Sequence, residues 1–250
     1  MELIIDTRNG IAGDISVAGL ISLGANQEKI IKAMENISKH LGKVNIKAIN
    51  KNGIFSLNID LGTEHDHLHE TEAKEFLSTS LKELDVGKSY TNIAQKILEV
   101  LCDAERYVHK HDKRLHHMIH HHGHEEEVVL HEAKDIIIDI IGFVVGLQEL
   151  DIQEIYYLDY VNVGNGIVKF SHGSFDVPSP ATLRILSENN IKWCNSEVYK
   201  NEMTTPTGVS ILAGSEAKRI DDIKKTKIIK MGSAIGTRKG LPSINFYLVE

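Results

Sequence analysis

Cysteine is scarce in this chain, with Cys102 and Cys194 the only two. They form no close pair, and Cys102 falls in the helix-like run "IAQKILEVLCDAE", where a buried, reduced thiol is expected. A disulfide framework is thereby excluded, and a reducing cytoplasm is the compartment that fits. Positive charge is in the minority, 28 Lys and Arg against 35 Asp and Glu, for a formal net charge of -7. That balance argues against a general polyanion binder, so nucleic acid is not an expected partner. Long apolar runs are missing too: the longest, "IIIDIIGFVVGL", is too short to span a bilayer and carries Asp139. The opening "MELIIDT" lacks a basic region followed by a long apolar core, so neither a secretory leader nor a membrane partner is expected. What remains is a 250-residue chain, 42% hydrophobic and 25% charged, of ordinary globular make-up and long enough to bury a substantial core.

The pattern along the chain predicts a strand over "LIID", a glycine-containing turn "TRNGIAGD", and helices through "ISVAGLISL" and "NQEKIIKAMENISKHL". "KVNIKAIN" and "IFSLNIDL" alternate around "KNG" as a β-hairpin does. Helical stretches follow near 70–84 and 90–108. "AKDIIIDIIGFVVGLQEL" is apolar nearly all round, which predicts a central buried helix. Strands are expected over 153–163 and 166–171, helices over 180–189 and 206–217, and closing strands over 226–234 and 243–249. The fold class is therefore α/β or α+β, a mixed β-sheet flanked by helices, with a histidine-rich loop inserted over 109–127 and a sub-boundary near 62–70.

Nine of the 14 histidines lie between positions 109 and 131. Neutral imidazole suits nickel, zinc, copper and cobalt and is a poor ligand for magnesium or calcium. His117, His120, His121 and His124 follow the spacing of a helix face, whereas His65, His67 and His69 follow the period of a strand. His109, His111, His116, His122 and His131 complete the candidate metal ligands. The bland reading of this density is a solvated, flexible insertion that binds divalent metals loosely; the functional one is a device that collects or delivers metal. Rigid chemistry needs fewer, quieter residues. Glu105 and His109 are four apart near a helix end, and His131, Asp135 and Asp139 continue at i, i+4 and i+8. An acid in the middle of an apolar helix is costly unless paired, protonated or metal-bound, which singles out Asp139; Asp135 is equally well explained by the positive end of the helix dipole.

Three places suit anions. "NGIAGD" brings the amides around Gly10 and Gly13 to a strand-to-helix turn beside Asp14. Ser179 before Pro180 and Thr205 before Pro206 read as helix caps, with Thr207 following. Arg238 in "GTRKG" has the fork that grips a phosphate or carboxylate, or is an ordinary surface arginine. His172 lies in the loop ahead of the Ser179 cap, where a ligand contact is expected. Together these suggest a small polyanionic ligand near a metal.

The segments "DTRNGIAGD", "DAERYVH", "LHEAKDIIIDIIG", "HGSFDVPSPATLRIL", "TTPTG" and "GTRKGLPSINFYLVE" resemble, in that order, the nickel-insertion family that includes LarC. The resemblance runs over nearly the whole chain. It implies a nickel chelatase of lyase type that inserts nickel into pyridinium-3,5-bisthiocarboxylic acid mononucleotide, the maturation step of a lactate racemase type nickel-pincer cofactor. It also implies CTP with a divalent cation, brought by a separate domain or polypeptide. The chain departs from the family pattern where Asn9 and Ile15 replace Ser and Met, where Ile136 replaces Ser, and where Glu132 is followed closely by Asp135. Carried onto this sequence, the loop histidines pass nickel to Glu105, His109, His131, Glu132 and Asp135 or Asp139, and one of the carboxylates or His172 takes the proton from the pyridinium carbon. Two alternatives stay open, a non-catalytic nickel store or metallochaperone, and an enzyme on another phosphorylated small molecule. A homo-oligomer is compatible with either.

Overall fold

The computed structural model describes residues 1–37, 41–62, 67–111, 128–170, 173–224 and 226–250. Its centre is a seven-stranded mixed sheet in the order β11-β6-β1-β13-β12-β3-β2. The strands are β1 (Glu2–Ile5), β2 (Asn45–Lys51), β3 (Ile54–Asp60), β6 (Glu154–Leu158), β11 (Lys218–Ile220), β12 (Ile228–Ala234) and β13 (Ile244–Val249). β1 runs parallel to β6 and antiparallel to β13, in the register Leu3 to Ile155 and Leu3 to Leu248. The anticipated hairpin is present, β2 pairing antiparallel with β3 and Lys51 lying opposite Ile54.

Leu3, Ile5, Ile244, Phe246 and Leu248 point from the sheet into one large core that the helices share. Ile4, Tyr247 and Val249 point the other way into a small cluster with Tyr156, Ile220 and Ile223. This division follows from the period of two along each strand. Helix α1 (Gly13–Ser22) and helix α5 (Ala133–Glu149) are buried on nearly all sides, as an apolar helix must be to avoid exposing its surface to water. They cross closely because α5 carries glycines at the contact. A Cβ on Gly142 would come within 3.0 Å of Val17 Cγ2, and one on Gly146 within 2.7 Å of Leu20 Cδ1. Helix α2 (Gln27–Asn36) is amphipathic instead, burying Ile30, Ala33 and Met34 at the 3–4 spacing of one face, and Asn26 caps it by accepting from the Lys29 N–H at 3.1 Å.

The remaining helices are α3 (Glu70–Glu83), α4 (Lys88–His111), α6 (Pro180–Glu188) and α7 (Pro206–Gly214). The expected strand over 153–163 is divided. Asp159, with φ 59°, turns the chain after β6, and β7 (Val161–Asn162) pairs with β10 (Trp193–Cys194) rather than joining the large sheet. Two further small pairs stand apart: β4 (His67–His69) with β5 (Val129–His131), and β8 (Ile167–Phe170) with β9 (Gly173–Asp176). No helix among the described residues is long and apolar enough to cross a membrane. Both cysteines are free, and burial pushes the Cys102 thiol up to about 12.

Candidate functional site

Four helices begin at one cavity of about 260 Å³. Its wall includes Gly13 and Asp14 of α1, Glu132 and Asp135 at the start of α5, Ser179 and Pro180 of α6, and Thr205 and Pro206 of α7. Each N-terminus presents amides and about half a positive elementary charge, so their convergence suits an anionic ligand. The local sequence explains the starts. Ser179 accepts from the Thr182 N–H at 3.4 Å and Thr205 from the Gly208 N–H at 3.1 Å, with proline following each cap.

Backbone bonds then tie two of the starts together. The Ile11 N–H donates to the Met203 carbonyl at 3.0 Å, and the Thr205 N–H to the Ile11 carbonyl at 3.1 Å. Gly208 permits that approach, since a Cβ there would lie 2.2 Å from the Ile11 oxygen. Gly10 belongs to this lacing rather than to the cavity wall. With φ 88° it sits against Met203, whose carbonyl oxygen would be 2.1 Å from an added Cβ. Gly13, by contrast, lies on the wall and lets the Asp139 carboxyl pack where its Cβ would be, 2.1 Å from Oδ2.

Asp139 is 3% exposed, and its Oδ1 has no hydrogen-bond partner among the described residues. The Asp14 backbone N–H donates to the same carboxyl. Burial, with the neighbouring charges of Asp135 and Asp14, holds Asp139 well above the ordinary carboxylate range. Burial also raises Asp14, against the opposing influence of Arg238. Glu105, raised to about 7 by burial and by Glu132, completes an acidic wall with Glu132 and Asp135.

On the opposite side of the electrostatic balance stand Lys169 and Arg238. Arg238 is engaged by the protein itself. Its Nη1 donates to the Glu202 carboxylate at 3.0 Å and to the Glu202 carbonyl at 3.2 Å. Glu202 is buried and its carboxyl is raised by that burial, Arg238 acting in the other direction. Sequence reasoning passed over both Glu202 and Lys169. An acid three residues ahead of the Thr205 cap was the only signal for the first, and Lys169 gave none beyond its place in a short strand.

Of the described imidazoles His131 alone lines the cavity, and the β4–β5 pair brings His67 up against it. His67 meets His131 edge to face with ring centres 4.5 Å apart, and His131 lies 6.4 Å from the His109 ring. His109 Nε2 is 3.7 Å from Glu105 Oε2, and burial lowers the His109 pKa and so favours the neutral, ligating form. The expected helical series from His131 through Asp139 is corrected at its first member. His131 closes strand β5, Glu132 takes a left-handed conformation with φ 59°, and the helix starts only at Ala133. Asp135 and Asp139 keep their shared face. His69 stands in β4, away from the cavity wall, and His111 stacks on Tyr107 at 4.1 Å, also off that wall. His65, His116, His117, His120, His121, His122, His124 and His172 lie outside the described residues, as does the segment 112–127. Among the described residues no three His, Cys, Asp or Glu side chains are already drawn together as a metal shell.

A family model described as "Nickel insertion protein" matches residues 3–247. The chain belongs to the nickel insertion protein family. It is 31% identical to the pyridinium-3,5-bisthiocarboxylic acid mononucleotide nickel insertion protein of Akkermansia muciniphila, over 99% of this chain and 59% of that relative. A protein of the same name from Staphylococcus epidermidis is 32% identical over 85% of this chain and 50% of its own length. Another from Thermotoga sp. is 31% identical over 94% of this chain and 57% of its own. The chain thus spans between half and three fifths of the length of these relatives. No solved structure matches. In this chain the cavity is where imidazole, carboxylate and helix N-termini meet among the described residues.

Proposed function

We propose that this chain carries the metal-transfer site of a nickel chelatase of lyase type, which inserts nickel into pyridinium-3,5-bisthiocarboxylic acid mononucleotide for a lactate racemase type pincer cofactor. The observation that carries the reading is the junction of a His67–His131–His109 approach with a cavity walled by four helix N-termini. Imidazole holds nickel well, and helix N-termini hold phosphate and thiocarboxylate groups. In this reading the histidines of 109–131 collect nickel, and His131 with His109 presents it to the bound pyridinium ring. As the nickel–carbon bond forms, the ring C–H breaks and its proton passes to Glu105, which stands beside His109 on the cavity wall. Thr205, Thr207 and the Ser179 end of α6 orient the anionic groups. CTP, with its divalent cation, enters from a second domain or polypeptide in the same proposal.

The test is a spectroscopic titration of the bisthiocarboxylated mononucleotide into two variants, one lacking residues 112–124 and one carrying Asp139→Asn. The deletion variant is expected to bind the mononucleotide as tightly as the intact chain while holding fewer nickel ions. Asp139→Asn is expected to keep its circular dichroism spectrum and lose nickel transfer. Absence of mononucleotide binding by a folded protein would leave a nickel store as the function; full transfer by Asp139→Asn would remove that residue from the mechanism.

A further inference from the structure

The cavity has an excess of acid that an anionic substrate alone makes worse. Six carboxyl groups line it, from Asp14, Glu105, Glu132, Asp135, Asp139 and Glu202, against the fixed cations Lys169 and Arg238, and Arg238 is already paired with Glu202. Whichever of these acids are ionised repel a phosphate brought to this wall. Nickel is held well by imidazole, whereas the most buried of these acids, Asp139, offers a hard oxygen donor on α5. Asp139 is buried behind Gly13 and Asp14, with Oδ1 on no partner among the described residues. A buried carboxylate oxygen left in that state costs free energy unless a proton or a cation occupies it. The donors around it are all oxygen: Asp139, Asp135 one turn earlier on the same face of α5, and Asp14 across the Gly13 contact.

We propose that Asp14 and Asp139, with Asp135 beside them, hold a magnesium-type or manganese-type divalent cation that the cavity shares with the phosphate of its substrate, apart from the imidazoles that handle nickel. Hard cations of this kind keep several waters and are bound through one or two carboxylates plus a substrate phosphate rather than by a finished protein cage. The cation site stands on these residues; its sharing with a phosphate rests on the function proposed above.

The experiment is a titration of Mn²⁺ into the metal-free full chain, followed through the electron paramagnetic resonance signal of free Mn²⁺, with and without nicotinic acid mononucleotide as a stable pyridinium mononucleotide. The intact chain is expected to take up one Mn²⁺, at least tenfold more tightly with the mononucleotide present. Asp139→Asn is expected to weaken uptake at least tenfold, with Asp14→Asn as the second variant if the first does not fold. No uptake by the intact chain, or equal uptake by the folded variants, would overturn the site. Uptake that depends on Asp139 but ignores the mononucleotide would keep the cation and overturn its bridge to phosphate. Failure of the bisthiocarboxylated nucleotide to bind while Mn²⁺ uptake persists would instead count against the proposed function alone.

Discussion

Glu105 shows how a single side chain is set by its surroundings. Its partner on the helix face, His109, was legible from the i, i+4 spacing, but the burial that raises its carboxyl to about 7 comes from elements far away in sequence, together with Glu132. The sign of the effect on stability follows. A carboxyl that holds its proton more tightly folded than unfolded favours the fold below its unfolded value near 4.5, and that contribution is lost as the pH rises through about 7. Metal-free Glu105→Gln should therefore melt within about 3 °C of the intact chain at pH 5 and about 10 °C higher at pH 8, since a shift from 4.5 to about 7 is worth about 3 kcal/mol and about 1 kcal/mol converts into 2–4 °C for a chain of this size. Identical melting curves at both values would show that Glu105 ionises freely in the fold. At Gly13 a methyl group would displace the Asp139 carboxyl it now faces. Gly13→Ala is expected to destabilise by about 2 kcal/mol, read by urea denaturation, because the obstacle is a packed neighbour rather than a flexible tip.

Helix α5 concentrates both strain and close packing. Its N-cap, Glu132, holds φ 59° and ψ 32°, a conformation that costs a residue with a Cβ about 1 kcal/mol. Strain at a cavity wall is a sign of a side chain kept for its chemistry. Glu132→Gly is thus predicted to leave stability unchanged or improve it while impairing nickel transfer; loss of stability with transfer intact would point to a structural role. Further along, Gly146 faces Leu20 and Ile30. Gly146→Val should cost about 3 kcal/mol in denaturant unfolding, since α1 and α2 have no room to retreat from the overpacked contact. The sequence announced this element by its apolar run, and it announced the caps of α6 and α7 by Ser179-Pro180 and Thr205-Pro206. It announced β4 only through the strand period of His67 and His69 and did not announce β5, because strands of three residues are held by their mutual pairing and by the core beneath Leu68 and Leu130 rather than by intrinsic preference.

At the scale of the whole molecule the site depends on the sheet. Phe246 at the centre of β13 is fully buried and its ring lies against Gly19 of α1, the helix whose first turn supplies Asp14. Phe246→Ala is expected to cost about 4 kcal/mol in equilibrium unfolding, and a loss under 1 kcal/mol would show that the core can collapse around the gap. The sequence by itself determined the order of most elements, the buried α5, the acid at Asp139 and the family, because periodicity, capping and motif order are properties of neighbouring residues. Only the tertiary structure decided that the starts of α1, α5, α6 and α7 meet at one cavity, that Gly10 packs against Met203 instead of facing it, that His131 belongs to a strand, and that Glu202 takes hold of Arg238. Those facts join residues as far as 193 positions apart, Gly10 and Met203, through close backbone approach and burial, and the free energy of such contacts depends on the shape of the folded chain, which no local pattern encodes.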